Sequence, residues 1–354
     1  MTLRQISLNN FRNLQPATLE LNPRLNILYG SNASGKTNFL EAIYVLCQGQ
    51  SFKTKSLSQC IQHTKSSLLL FSYFSNYKVG ISRSSKSMTI RVNNETINKV
   101  STLAEKSPVR IVNSNTLNLI IGSPSDKREF LDWSLFHVEQ NYHQLWMEYN
   151  HALKQRNALL KQKKNNTQID YWDQHLGQLN QSIYSLRNHC FQTIRDILIN
   201  HFPDSIKALD LDISYKPGWD VEKTLQEVLL ANRNQDIKYG FTRYGIHRDD
   251  IVLTTCGLPV QQILSRGQIK TLSMLFVLSQ IIYVSKFTDK NSILLIDDLE
   301  SELDSDSVSY LLSQINNYNT QVFITLIKPA LEHVVSHQEY KMFHVEHGII
   351  KPVK

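Results

Sequence analysis

The stretch Gly30-Ser31-Asn32-Ala33-Ser34-Gly35-Lys36-Thr37 decides how this chain reads. It fits the pattern G-x-x-x-x-G-K-[ST]. Its flanks agree with that pattern: Leu25-Asn26-Ile27-Leu28-Tyr29 has strand texture before it, and Phe39, Leu40, Ile43, Tyr44 and Leu46 recur at helical spacing after it. The backbone N–H groups of such a loop converge on phosphate oxygens, and the helix that follows adds the positive end of its dipole. Lys36 is then the residue that reaches the outer phosphates, and Thr37 the one that ligates Mg²⁺.

A loop of this kind needs an acid at the end of a buried strand to position the metal. Ile293-Leu294-Leu295-Ile296-Asp297-Asp298 supplies two. Asp297 is the expected Mg²⁺ partner and Asp298 the group that orients or deprotonates the attacking water. Leu264-Ser265-Arg266-Gly267-Gln268 precedes helical texture that runs to Val284. A small hydroxyl and a glycine at a helix start suit a second phosphate clamp; Ser265 also suits an ordinary helix cap.

The chain has 354 residues, enough for a large core and two lobes. Its net charge of +7 is unevenly spread: residues 1–110 hold 14 Lys/Arg against 4 Asp/Glu, a net of +10, and the remainder 24 against 27, a net of −3. A basic first third points to a polyanion such as nucleic acid, or to no more than an uneven surface. Cys47, Cys60, Cys190 and Cys256 form no C-x-x-C pair, which argues against a zinc ribbon and a disulfide scaffold. No apolar signal core opens the chain, and Leu272–Val284 is too short and too interrupted for a membrane span. The chain therefore reads as soluble and cytoplasmic.

Residues 68–99 read as a β-meander. Ser123-Pro124-Ser125-Asp126 reads as a helix start, and helical spacing persists until Phe202-Pro203-Asp204, with strand texture returning near Tyr239. The expected organisation is a discontinuous α/β head, residues 1–122 and 241–354, with an inserted helical lobe at 123–240. Within that lobe, residues 151–164 carry Lys154, Arg156, Lys161, Lys163 and Lys164 and no acid, as a solvated helix face or a DNA-contacting one. His247-Arg248-Asp249-Asp250 reads mainly as a structural cluster of paired charges joining the two head segments.

Taken as a set, these motifs resemble the RecF family of ABC-type ATPases, in the branch that holds SMC and Rad50 proteins. Leu264-Ser265-Arg266-Gly267-Gln268 is similar to the ABC signature, with Ser265, Arg266, Gly267 and Gln268 as its polar positions. Ser301-Glu302-Leu303-Asp304 is similar to the D-loop, with Ser301 and Asp304 as its contact residues. Phe11-Arg12-Asn13 resembles the branch's early arginine motif. Phe130-Leu131-Asp132-Trp133, Lys154-Gln155-Arg156-Asn157 and Gly245-Ile246-His247-Arg248-Asp249-Asp250 add to the likeness, which runs from about Leu3 to the C-terminus.

The resemblance implies ATP and Mg²⁺ as ligands and an ATP-dependent homodimer in which Ser265 and Gly267 of one subunit touch the γ-phosphate held by Lys36 of the other. Arg12 lies near the phosphates, and Lys36 and Asp298 carry a slow hydrolysis that resets the clamp. The implied partners are single-stranded and gapped DNA, RecO and RecR, in loading RecA during gap repair and SOS induction, with no membrane involved. Lys53, Lys55, Arg83, Lys86 and Arg91 are the candidate DNA-phosphate contacts. An ATP-driven nuclease, a transporter ATPase and a small-molecule kinase are the competing classes.

Three positions depart from the family pattern. Ala33 stands where glycine is common, which strains the loop if φ is positive there. Ile246 stands where proline is common, and Asn115 lies where relatives place a Q-loop equivalent. No histidine follows the Val322–Thr325 strand, so a transporter-type switch histidine is absent.

Overall fold

The computed structural model describes residues 2–162, 167–299, 320–329 and 339–353. Its strands are, in the first stretch, β1 (Leu3–Asn9), β2 (Ala17–Glu20), β3 (Leu25–Tyr29), β4 (Ser67–Phe74), β5 (Lys78–Ser84), β6 (Met88–Val92), β7 (Glu95–Ile97) and β8 (Val109–Val112). The middle holds β9 (Leu211–Lys216), β10 (Asp250–Thr255) and β11 (Leu258–Pro259). The last stretch holds β12 (Ser292–Ile296), β13 (Thr320–Leu326), β14 (Tyr340–Glu346) and β15 (Ile349–Pro352).

Two compact units result: Met1–Thr116 with Val284–Lys354, and Leu117–Tyr283. The first is built on two six-stranded sheets. One is antiparallel, in the order β2-β1-β4-β5-β6-β7. The other runs β15-β14-β3-β13-β12-β8 and is parallel except for β15. The Lys36–Gln48 helix lies between them. Its Phe39, Leu40, Ile43 and Leu46 join Ile6, Leu70 and Ile81 from the first sheet and Leu28, Leu295 and Phe323 from the second in one buried core. β12 and β13 are buried along their whole length, and β3 over its first four residues, because both faces of a parallel sheet are covered. This is the α/β architecture of an ABC-type ATPase head.

The second unit is mainly helical. Ser123 caps the Pro124–Val138 helix, where Asp126 Oδ2 accepts the Ser123 N–H at 2.8 Å and its hydroxyl at 2.6 Å. The Tyr142–Lys161 and Thr167–His201 helices pack against each other, and two buried arginines tie this unit together. Arg156, fully buried, meets Asp173 at 2.5 Å, Asp236 at 2.9 Å and Thr242 Oγ1 at 2.8 Å. Arg187 meets Asp132 at 2.7 Å and Asp249 at 2.8 Å, and donates to the Ile246 carbonyl at 2.9 Å. Buried charges require such pairing.

Three readings change here. The 151–164 stretch is divided: Arg156 is a core residue, Lys154 and Lys161 are exposed, and Lys163 and Lys164 lie outside the described residues. β9 falls inside the stretch read as helical, because β10 pairs with it from Asp250↔Lys216 to Thr255↔Leu211. That pairing, together with Arg187–Asp249, places residues 241–283 in the second unit, so the compact units divide at 116/117 and 283/284 and not at 122/123 and 240/241. The Arg266–Phe287 helix has 22 residues, and an 18-residue window of it has a mean hydropathy of 1.3, long and apolar enough by those measures to span a bilayer. However, 78% of that window is buried inside the protein, as in the core helix of a globular domain.

Candidate nucleotide site

β3 delivers the chain to Gly30, and the loop turns back through Gly35 into the Lys36 helix. Both glycines have backbones that disfavour a side chain: Gly30 has φ 154 and Gly35 has φ 120. A Cβ on Gly30 would collide with the Val345 carbonyl oxygen, and one on Gly35 would lie 2.8 Å from Leu14 Cδ2. Ala33 has φ 62, so the strain condition raised by the sequence is met, at about 1 kcal/mol for a left-handed alanine. Lys36 donates to the Gly30 carbonyl at 2.7 Å and the Ser31 carbonyl at 2.9 Å, which anchors its ammonium at the loop's concave side.

The two acids arrive at the C-terminal end of β12. Parallel pairing with β13 places Thr325 alongside them. Asp297 Oδ1 accepts from Thr37 Oγ1 at 2.9 Å and from Thr325 Oγ1 at 2.9 Å. Thr325 Oγ1 in turn accepts the Asp298 N–H at 2.7 Å, and Asp298 has φ 54. A cavity of about 240 Å³ opens here, walled by Asn32, Lys36, Thr37, Lys53, Asp297 and Asp298, among others. Its donor set combines a cation, an oriented hydroxyl and hard carboxylate oxygens. Thr37 and Asp297 fit a Mg²⁺ ion that takes its remaining ligands from phosphate and water.

Lys53 belongs to this cavity, although the sequence suggested a DNA contact. Its ammonium donates to Asn38 Oδ1 at 2.9 Å. The signal in the sequence is its place shortly after Gly49, where the first helix ends and the chain turns back toward the loop. Arg12 is not among the residues walling the cavity. Its Nε and Nη2 form a fork on Glu41 at 2.9 and 2.7 Å, and Nη1 donates to the Gln59 carbonyl at 3.0 Å. Burial alone would raise the Glu41 carboxyl, but the Arg12 and Ser51 bonds outweigh it and hold its pKa below the ordinary range. Asn115 is bound locally, its N–H on Asn113 Oδ1 at 3.0 Å.

In the second unit, Ser265 and Gln268 form a reciprocal cap. The Ser265 N–H donates to Gln268 Oε1 at 2.8 Å, and the Gln268 N–H to Ser265 Oγ at 3.2 Å. Ser265, Arg266, Gly267 and Gln268 are all exposed at this helix start. Ser301 and Asp304 lie outside the described residues. The His247 cluster pairs within the second unit: Arg128 donates to the Asp249 carbonyl at 2.8 Å and Lys127 lies 3.5 Å from Asp250. Ile246 uses its N–H, which a proline would lack, to reach Asn180 Oδ1 at 2.9 Å.

Residues 2–351 match the RecF/RecN/SMC N terminal domain. The DNA replication and repair protein RecF of Shewanella halifaxensis (strain HAW-EB4) is 35% identical over 356 residues, covering 99% of this chain and 98% of that protein. The chain belongs to the RecF family. RecF of Shewanella denitrificans (strain OS217 / ATCC BAA-1090 / DSM 15013) is 33% identical over the full length of both chains. Among solved structures, the recombination mediator protein RecF with ATP, described in the RecFOR pathway, superposes with a TM-score of 0.86 at 26% identity, covering 100% of this chain and 98% of that one. An SMC head bound to a winged-helix domain of ScpA shares the fold, with a TM-score of 0.61 at 12% identity.

Proposed function

We propose that this chain is an ATP-dependent DNA-binding protein of recombinational gap repair and replication. The observation that carries the reading is the single cavity that gathers Lys36, Thr37, Asp297 and Asp298, with Thr37 Oγ1 on Asp297 Oδ1 at 2.9 Å. Family membership and the likeness to a RecF solved with ATP support it.

The loop N–H groups and Lys36 bind the phosphates. Thr37 and Asp297 hold Mg²⁺, which when bound neutralises charge on the outer phosphates. Lys53 stands at the mouth of the same cavity as a further cation. Asp298 orients the attacking water, and turnover is slow enough to act as a reset and not as a metabolic activity. In the ATP-bound homodimer, Ser265 and Gly267 approach the γ-phosphate held by the other subunit. The Ser265 end is exposed and already organised by its cap, as a docking element should be. Arg12 acts on this site indirectly, by fixing Glu41 on the helix that begins at Lys36. DNA at single-strand/duplex boundaries, RecO and RecR are the proposed partners, in cytoplasmic loading of RecA.

Light-scattering mass on a sizing column, with gapped DNA and with or without Mg-ATP, tests this reading. A shift from monomer to dimer that requires ATP and carries DNA along is the expected result. A monomer that binds DNA regardless of ATP would remove the switch, and no DNA binding in low salt would remove the repair assignment.

A further inference from the structure

In the antiparallel sheet, alternation along β4 buries Leu68, Leu70 and Ser72 and turns Leu69, Phe71 and Tyr73 outward. Leu69 is 51% exposed and Tyr73 38%. Three consecutive outward positions filled by large apolar residues break the polar-out rule for a sheet with one solvated face. Their neighbours are set by register. Ser7 and Gly80 flank Phe71, Lys78 lies beside Tyr73, and Arg91 follows across Gly80. The glycine keeps the space beside the Phe71 ring clear.

Two cavities, of about 380 and 400 Å³, meet along this row and share Leu69 and Phe71 as their common wall. Ser7, Asn9, Pro16 and Thr18 line the far side of the first. Lys78, Ser82, Thr89, Arg91 and Asn94 line the second. The Phe71 and Tyr73 rings meet edge to face, with centroids 4.9 Å apart and planes at 77°, and the Lys78 ammonium sits 5.2 Å from the Tyr73 centroid. Both cations on this face are exposed. The acid at its rim, Glu20, accepts from Gln5 Nε2 at 2.5 Å.

We infer that this outer sheet face binds single-stranded DNA, with bases stacked on Phe71 in the two hollows and on the exposed Tyr73 ring beside it, and phosphates running past Lys78 and Arg91. Flat aromatic walls beside exposed cations match an unpaired strand, which offers both π faces and phosphates. A duplex keeps its bases stacked inside, out of reach of a ring standing on a flat sheet. The net +10 of residues 1–110 favours a polyanion over an acidic-poor or cationic peptide. Serine, threonine and asparagine around the hollows offer hydrogen bonds to any base, so sequence preference is weak. Of the charges read from the sequence as DNA contacts, Arg91 belongs here. Arg83 faces the other way, in line with Val79 and Ile81. The inference deepens the DNA-binding reading above and rests on it for the choice of polymer.

The test is fluorescence anisotropy of a labelled oligothymidylate and, separately, of a gapped duplex, using the full chain. The Phe71→Ala/Tyr73→Ala double variant should weaken oligothymidylate binding about tenfold or more. Arg91→Gln should lower the salt slope of that binding by about 0.7. If wild type binds both probes and the ring variant binds oligothymidylate equally well, this inference falls and the DNA-binding reading stands. If wild type binds neither, both fall. Photocross-linking of wild type to an iododeoxyuridine strand avoids any folding defect of the variants. Cross-links on Phe71 or Tyr73 support the site, and cross-links confined elsewhere overturn it.

Discussion

Replacing Arg12 by methionine should destabilise the first unit by about 3 kcal/mol. The Glu41 side chain is wholly buried, whereas that of Arg12 is 21% exposed. Removing one partner of a buried pair costs roughly 3–5 kcal/mol, and the partial exposure of Arg12 places this pair at the lower end. What remains around Glu41 is the Ser51 hydroxyl, the Cys60 thiol, whose Sγ lies 3.4 Å from Oε1, and the field of Lys53, the weakest of the influences that hold its pKa down. Burial is the largest influence on this carboxyl and Lys53 the smallest, so without Arg12 its pKa rises above the unfolded value. A carboxyl raised on folding contributes stability below its unfolded pKa and loses it as pH rises through the folded one. The deficit of Arg12→Met relative to wild type therefore grows from pH 5 to pH 8. Adding Glu41→Gln should recover most of it, because the double variant buries no unpaired charge. Urea unfolding followed by far-UV circular dichroism is the assay; all four tryptophans lie in Leu117–Tyr283, so their emission does not report this unit. A loss under about 1 kcal/mol, or no recovery on adding Glu41→Gln, would refute the clamp. ATP binding by the folded double variant then decides between two roles for Arg12. Intact affinity makes Arg12 a scaffold for the helix, and lost affinity returns it to the phosphates.

Four further outcomes are expected. His247 sits between Thr242 O, at 3.0 Å from Nε2, and Tyr149 OH, at 2.8 Å from Nδ1. Burial pulls its pKa from 6.5 down to about 4, so its contribution is complete above pH 6.5 and is lost as pH falls to about 4. That amounts to about 3 kcal/mol, read by tryptophan-monitored urea unfolding, and His247→Gln should flatten the dependence. Lys36→Ala should abolish ATP binding in equilibrium dialysis, while Asp298→Asn should keep binding and cut hydrolysis at least tenfold; wild-type turnover in the latter would take Asp298 out of the water-orienting role. Ser265→Arg should bind ATP and remain monomeric by light scattering, whereas Ser265→Asn, which keeps a capping side chain, should retain the fold's melting temperature. Thr325→Val should spare ATP affinity and lower hydrolysis, measured as phosphate release.

The nucleotide loop was legible because its chemistry is local: eight residues, a strand before them and a helix after them, set nearly all of its geometry. β12 and the Ser123 cap were legible for the same reason, since a run of apolar residues ending in two acids and an S-x-x-D start are written in adjacent positions. What stayed hidden depends on partners distant in the chain. β9 looked like part of a helical stretch because its strand character rests on pairing with β10, about forty residues on. Arg156 read as surface charge because its three acceptors, Asp173, Asp236 and Thr242, lie 17, 80 and 86 residues away. The same holds inside the site. The sequence placed Asp297 and Asp298 correctly on the end of one strand but said nothing of how two adjacent acids could face different tasks. In the structure Thr325, 28 residues beyond Asp297, divides them. Its hydroxyl proton goes to Asp297, leaving that carboxylate oriented toward Thr37, and its oxygen takes the Asp298 N–H, offsetting the left-handed backbone at φ 54. One hydroxyl thus fixes Asp297, the acid proposed to hold Mg²⁺, and turns its neighbour away from the β12 direction. Loss of the Thr325 hydroxyl should therefore slow chemistry before it weakens binding.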